Sequence, residues 1–480
     1  MIDLSRRVTP RTRPVPLEAP MSSSSGVIDD APLTSFHKKL TAYSSGGPLI
    51  DGYAIAMIGF TYASMGTAFD VSDADKGLIA AAALVGIFVG GAVFGWVTDR
   101  VGRHVMYIVD LLALALFSVL TLWVDAVWQV VLLRFAIGVA IGADYPIATS
   151  LLAEYLPRKH RGKMLGATFV VWAIGATLAP IVAIACTAAF GDEAWRWMLA
   201  STAIFAIITL LFRLGTPESP RWLLSKGRVD DADAAIRKVF GSQYSSADLG
   251  PEEKAGSVSL RTLLRPPYRS RLLFVCLFWM CQVIPMLSIY SFSFDVLATV
   301  GLEGNGAEVF LAALFVVGGI PGLMLVDRIG RKALLVYSFG GIAVIWGMAG
   351  LIPGLPMMAI FAAICLFAFL SGSSNFLEVV VPNELFPTQV RATAVGIGTA
   401  ASRIGAAVAV YLMPVLLAHG IGWVLIAGAA VSLAGLVVTV VWGEETAGRS
   451  LHEASEHRAA PGDPSPDLAT RRLSTPDSTL

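Results

Sequence analysis

The sequence predicts an all-α membrane protein whose twelve transmembrane helices form two pseudo-symmetric six-helix bundles. Three observations predict it. First, the 480 residues are 55% hydrophobic and only 15% charged, with a mean hydropathy of +0.69; a soluble chain of this size carries more polar surface. Second, apolar runs of the roughly 20 residues that cross a bilayer recur along the chain. Third, three landmarks repeat in one order at nearly one offset. Asp99-Arg100-Val101-Gly102-Arg103 returns as Asp327-Arg328-Ile329-Gly330-Arg331. The stretch from Glu154 to Arg161 returns from Glu384 to Arg391, and Glu218-Ser219 is echoed, more weakly, by Glu445-Thr446. A fixed order at a fixed spacing marks a duplicated unit.

Taken in order, the chain starts with a tail. Residues 1–45 are rich in Ser and Pro, basic at Arg6, Arg7, Arg11 and Arg13, and lack an apolar core. They read as a disordered segment rather than a cleaved signal peptide. Spans follow near 47–69, 76–97, 105–123, 127–150, 163–189 and 195–213, an N-terminal bundle over 46–214. Residues 215–269 are polar, with an amphipathic piece around Asp230–Phe240, and read as a central loop with short helices. Six more spans lie near 271–293, 306–326, 333–352, 355–380, 392–417 and 420–442, a C-terminal bundle over 270–442. Residues 443–480 are rich in Pro, Ser and charge and read as a second disordered tail.

Lysine and arginine set the orientation. Arg100, Arg103, Arg158, Lys159, Arg161, Lys163, Arg221, Lys226, Arg228, Arg328, Arg331, Lys332 and Arg391 fall in alternate connections; Asp70, Asp73, Asp125, Asp192, Glu193 and Glu303 mark the other side. The positive-inside rule then places both termini in the cytoplasm of a multi-pass plasma (inner) membrane protein. The formal net charge of +0 gives no sign of a nucleic-acid partner, and the partners expected are the bilayer, a small solute and a proton, with the chain acting as a monomer. Cys186, Cys276, Cys281 and Cys365 sit in apolar runs without metal-ligand spacing or neighbouring histidines, so neither zinc nor a disulfide framework is implied. No phosphate-cradling loop or nucleophile–base pair stands out, so the expectation is no enzyme, no cofactor and no metal.

Over 46–446 these motifs resemble the major facilitator superfamily, for which Asp-Arg-x-Gly-Arg after spans two and eight is a signature. Pro217-Glu218-Ser219-Pro220-Arg221-Trp222-Leu223, with Glu154 to Arg161 and Glu384 to Arg391, resembles its sugar-porter-like branch. Parallel repeats in such transporters flank a midplane solute site. The residues support a physical reading beside the resemblance. Gly102 and Gly330 permit a tight turn. Asp99 and Asp327 stand near a helix start, and Arg100, Arg103, Arg328 and Arg331 can pair with acids such as Glu154, Glu218 and Glu384. Those groups, with Arg161, Arg221 and Arg391, form the expected cytoplasmic gate. Plain positive-inside topology would also place the cations here, but it does not require Asp and Gly at one spacing in both halves.

Charges inside spans point to a solute site, because each costs roughly 2.5–3.5 kcal/mol at a helix centre unless it faces protein or water. The candidates are Asp51, Arg134, Asp144, Glu378 and Arg403. Asp51-Gly52-Tyr53 resembles the Asp-Gly-Tyr-Asp of organic-acid and phosphate symporters, with Ala54 in place of the second acid. Gly142-Ala143-Asp144-Tyr145-Pro146 resembles the Gly-Gly-Asp-Tyr-Pro of phosphate:proton symporters; Asn375 also fits, and Arg403 stands where those have lysine. The resemblance implies Asp51 and Asp144 for proton coupling, and Tyr145, Asn375 and Arg403 for the solute. The in-span charge of Arg134 adds it to the first set, and Tyr53, Trp172, Gln282 and Glu378 complete the expected solute site. Spans one and four run in opposite directions, which puts Asp51 and Asp144 at similar depth.

Trp172 replaces a glutamine, Val283 or Gln282 replaces an aspartate, and Glu378 is an added acid. These departures argue against inorganic phosphate and for a bulkier organic solute. A hexose fits less well, since span ten lacks Pro-x-x-Trp and no Gln-Leu-Ser is present. Blander roles stand beside these: Asp51 as an interfacial cap, Asp144-Tyr145-Pro146 as a kink, Gly138 and Gly142 as close-packing residues, Glu378 as an internal partner of Arg403. The expectation is a proton-coupled symporter importing an organic acid or sugar acid. The alternatives are efflux of a drug or secondary metabolite, a sugar:proton symporter, or a receptor that kept the fold.

Overall fold

A computed structural model describes residues 32–156, 158–249, 263–266, 268–302, 306–386 and 388–446, and among them every regular element is helical. Of the two expected tails, 1–31 and 447–480 lie outside the described residues, as do 250–262 of the central loop.

The N-terminal half contains α1 (Ser35–Ser44), α2 (Gly46–Ala68), α3 (Asp73–Val101), α4 (Arg103–Leu120), α5 (Val127–Tyr155), α6 (Arg158–Phe190), α7 (Ala194–Ala200) and α8 (Thr202–Arg213). Two short helices follow, α9 (Pro220–Ser225) and α10 (Val229–Phe240). The C-terminal half contains α11 (Tyr268–Ser291), α12 (Ser293–Ala298), α13 (Ala307–Ile329), α14 (Arg331–Leu351), α15 (Met357–Asn375), α16 (Leu377–Leu385), α17 (Thr388–Ala418) and α18 (Ile421–Trp442). Spans six, seven and ten are therefore each two helices. In span ten the cause is local: the Ser373 and Ser374 hydroxyls donate back to the carbonyls of Leu370 and Ser371, competing with the helix ladder just before the break at Phe376.

Ten stretches of described residues are long and apolar enough to cross a membrane. One of them, Val170–Arg213, holds spans five and six together. α2 is not among them. It carries Asp51 and five glycines, and is buried through most of Gly47 to Tyr62, so protein surrounds that stretch.

Within each half, glycines let helices meet backbone to backbone. A Cβ on Gly138 or Gly142 of α5 would strike the Ala83 or Ile87 carbonyl of α3, and one on Gly372 of α15 would strike that of Phe315 in α13. The sequence reading of Gly138 and Gly142 as packing residues matches this contact. Between halves, α3 packs on α17, α6 on α13 and α2 on α11. Away from the glycine turns the halves are pressed together: Tyr62 stacks on Phe292 at 5.4 Å, and a Cβ on Gly59 would lie 2.7 Å from the Ser291 carbonyl.

Helix α1 corrects the expectation of an unstructured segment up to residue 45. Its apolar residues are too few to register as a run, yet Leu40 and His37 are buried against the ends of α5 and α10, beside Tyr155 and Phe240. His37 Nδ1 accepts the Thr34 N–H at 2.9 Å. Burial pushes the His37 pKa below its ordinary 6.5, against a smaller opposing pull from the Tyr155 backbone. A folded-state pKa below the unfolded one means the neutral form is bound more tightly. That contribution is present above pH 6.5 and is lost as the pH falls below it. Tryptic cleavage at the exposed Lys38 and Lys39 should therefore accelerate on acidification. Taken as a ratio to the non-titrating His37→Leu at each pH, a flat profile would contradict this.

Candidate functional site

Two turns, one per half, share a construction. At the start of α4 the Glu218 carboxylate accepts the N–H groups of Arg103, at 3.1 Å, and His104, at 3.0 Å. At the start of α14, Glu445 accepts those of Arg331, at 2.9 Å, and Lys332, at 3.1 Å. Each acid satisfies amides that a helix N-terminus leaves open and meets the positive end of the helix dipole. The residues before these helices, Gly102 and Gly330, have φ of 112° and 92°. A Cβ there would lie 2.8 Å from Glu218 in the first case and strike Glu445 in the second. Glycine is thus demanded twice over, by conformation and by space.

Arg331 then grips Glu384, with Nη2–Oε1 at 3.1 Å and Nε–Oε2 at 3.2 Å. Arg100 and Arg328 are exposed and Arg221 is half-buried. The side chains of Asp99, Glu154, Arg161, Asp327 and Arg391 lie outside the described residues, as does that of Tyr145.

At mid-depth a charge cluster joins the halves. Asp51 of α2 is fully buried; its Oδ2 accepts the Trp172 indole N–H at 2.9 Å and lies 3.8 Å from Arg403 Nη2 of α17. Arg403 also acts electrostatically on buried Glu378, which sits beside Trp279. One guanidinium thus acts on a carboxylate from each half. Trp172 meets Tyr290 edge-on at 5.6 Å across the interface, and Gln282 Nε2 donates to Ser374 at 3.0 Å. Asp51 Oδ1, Gln282 Oε1, Asn375 Oδ1, Glu378 Oε1, the Tyr290 hydroxyl and Arg403 Nε are buried without a hydrogen-bond partner. Buried polar groups are ordinarily satisfied, so this concentration of mostly acceptor atoms marks a place built for a donor-bearing ligand. Farther from the glycine turns, an apolar cavity between the halves is lined by Phe60, Tyr290, Phe315 and Phe367, with Ser293 and Glu308.

The structure brings Asp51, Trp172, Glu378 and Arg403 together, with Arg134 nearby on α5 donating to the Ala54 carbonyl at 3.0 Å. It does not bring Tyr53 or Asp144 to that interface. The Tyr53 hydroxyl bonds Ser201 and its ring lies 4.6 Å from Phe205, inside the N-terminal half. Asp144 is gripped by Arg213 of α8 through both oxygens, at 2.5 and 3.1 Å. Arg213 lies over the Tyr107 ring and 4.0 Å from Asp110. Sequence reasoning missed Asp110, Arg213 and Glu308. The available signal was that Asp110 and Arg213 are lone charges within apolar runs and Glu308 an acid opening one.

A family model described as sugar (and other) transporter matches residues 39–457. The putative metabolite transport protein YaaU of Escherichia coli (strain K12) is 37% identical over 433 residues, covering 89% of this chain and 96% of that protein. The inner membrane metabolite transport protein YgcS of the same organism is 37% identical over 429 residues, covering 89% and 95%. Among solved structures, the xylose transporter XylE from E. coli, in a partially occluded inward open conformation, matches with a TM-score of 0.72. Its identity is 21%, over 87% of this chain and 100% of that one, a likeness of fold.

The glycine turns yield a prediction. An alanine at Gly330, with φ 92° and ψ 164°, is forced into an extended positive-φ conformation that is essentially glycine-only, at a cost of about 1–3 kcal/mol, and displaces the Glu445 cap. A Cβ on Gly66, by contrast, meets nothing within 4 Å. Gly330→Ala and Gly102→Ala should lower the thermal midpoint of the detergent-solubilised protein, and Gly66→Ala should not. Equal midpoints for all three would refute the role given to these turns.

Proposed function

The chain belongs to the sugar (and other) transporter family, within the major facilitator superfamily, and from that premise we propose that it imports a small hydroxylated organic acid, such as a sugar acid, together with a proton. The observation that carries this reading is Arg403 of one half, 3.8 Å from the buried Asp51 of the other. A solute carboxylate and the Asp51 carboxylate compete for one guanidinium. When Asp51 takes up a proton it releases Arg403, which is then free to bind the solute anion in its planar fork. When the proton leaves, Asp51 reclaims Arg403 and expels the solute. Proton and anion thus occupy the site together and leave it together, and the buried cluster keeps its charge. The unsatisfied acceptors on Gln282, Asn375 and Glu378 suit hydroxyl donors, and Trp172 and Tyr290 supply a wall for the carbon frame.

The two halves would rock about this site, with Arg403–Asp51 as the contact remade in each cycle. In this reading the glycine turns and both termini face the cytoplasm of the plasma (inner) membrane, the chain works as a monomer in the bilayer, and Glu218, Glu384 and Glu445 hold the cytoplasmic turns in shape.

The test is uptake into reconstituted vesicles under an imposed pH gradient, with hexonates and hexuronates set against matched neutral hexoses. Accumulation of the acids and not of the hexoses is expected; the reverse result would leave a sugar symporter. Asp51→Asn should abolish accumulation while counterflow exchange of labelled solute survives, because exchange moves no net protons. Accumulation that persists in Asp51→Asn would move the coupling site elsewhere. Arg403→Ala should abolish both, with Arg403→Lys keeping part. If Glu378→Gln/Arg403→Gln transports better than Arg403→Gln alone, Arg403 serves Glu378 rather than the solute.

A further inference from the structure

A second buried acid pair lies inside the N-terminal half. Asp110 of α4 and Asp144 of α5 face a small cavity walled by Ile50, Leu111, Leu114 and Ile141. Both carboxylates depend on one cation, Arg213 of α8. Its side-chain hydrogen bonds go to the two oxygens of Asp144 and to the backbone carbonyls of Tyr43 and Tyr107, with none to Asp110. Asp110 is left with its Oδ1 on the Leu111 N–H, at 2.7 Å, and its Oδ2 4.0 Å from Arg213 without a hydrogen-bond partner. Asp110 is 4% exposed and Arg213 fully buried. The other groups facing the pair are the Tyr107 ring from α4, beneath Arg213, Ser44 from α1, whose Oγ is 2.8 Å from the Tyr107 hydroxyl, and Asp51 one turn along α2. Neither of the last two supplies a positive charge. Two carboxylates against one guanidinium leave one negative charge uncompensated among apolar side chains, which is costly. A hard metal cation would neutralise it only with six or more oxygen ligands, whereas the cavity wall offers two carboxylates among aliphatic groups.

We propose that Asp110 is a proton-binding site, distinct from the Asp51 site, whose proton is held rather than transported. The second half of that statement follows from position. α2, α4, α5 and α8 all belong to one half, and rocking of one half against the other leaves contacts within a half unchanged. The proton therefore exchanges with one side of the membrane only. Its effect reaches the junction of α1 and α2, which rests on the cluster: Arg213 Nε donates to the Tyr43 carbonyl at 3.3 Å, Ser44 is tied to Tyr107, and a Cβ on Gly47 would strike Asp144. Loss of the proton draws Arg213 towards Asp110, loosens its grip on Asp144 and Tyr43, and frees the start of the helix that carries Asp51.

The test needs no solute, so it stands or falls apart from the substrate reading. Infrared titration of the reconstituted full chain should show the C=O stretch of a protonated carboxyl near neutral pH. That band should disappear in Asp110→Asn and remain in Asp51→Asn. Over the pH range in which the band titrates, hydrogen exchange of residues 43–50 should quicken as pH rises, relative to Asp110→Asn at each pH. A band that survives Asp110→Asn, or an exchange ratio that stays constant through the titration, overturns the proposal. Should Asp110→Asn fail to fold, Asp110→Glu decides: a band displaced in frequency supports the site, and an unmoved band refutes it.

Discussion

Arg403 reaches from the C-terminal half to Asp51 of the N-terminal half, and the arrangement of the interface depends on it. Its side chain is 11% exposed and that of Asp51 is fully buried; removing one member of a buried ion pair typically costs about 3–5 kcal/mol, so Asp51 needs this partner. The pairing is weaker than it looks on paper, since the Asp51 contact is 3.8 Å and single rather than a bidentate fork. Asp144 and Arg213, at 2.5 and 3.1 Å, form the fork. The contact across the halves is thus the looser of the two ion pairs, and the one within a half the tighter.

The pseudo-symmetry has a physical purpose at the glycine turns. Each half has to bend sharply between two long helices where the chain leaves the apolar layer. A bend exposes the amides of the next helix, and an acid far along the chain, Glu218 or Glu445, returns to cover them. The weak echo of Glu218 by Glu445 in the sequence is thus a strong correspondence in space. Arg331–Glu384 adds a cross-brace from the tenth span, tying the bend to the segment that carries Glu378.

Most of the fold was legible because membrane spans are apolar runs, and composition alone finds them. The observed helices lie close to the expected ranges even where they are divided by a break, as at Phe376. What was not legible follows from the same physics. α2 is surrounded by protein through most of Gly47 to Tyr62, so its sequence there has no apolar face to distinguish from a polar one, and Tyr53 gave no sign that it turns into its own half. α1 buries too few apolar residues to stand out from a polar tail. The candidate site was legible in part: Asp51, Trp172, Glu378 and Arg403 meet, but their assembly depends on helix rotation, which spacing along buried helices does not specify.

The placement of the acids bears on which of them can couple transport to protons. A coupling group must see different surroundings in the two states of the cycle. When two rigid halves move against each other, only groups at their interface meet that condition. The close backbone contacts at Gly138, Gly142 and Gly372 join helices of the same half, which sets interior positions apart from the interface. Asp51 lies at the interface, with Arg403 reaching it from the other half. Asp144 and Asp110 lie in the interior, held by Arg213 from their own half. Sequence position alone made Asp51 and Asp144 equivalent, two aspartates at one depth in neighbouring motifs. Geometry separates them, giving Asp51 a partner from the opposite half and Asp144 one from its own.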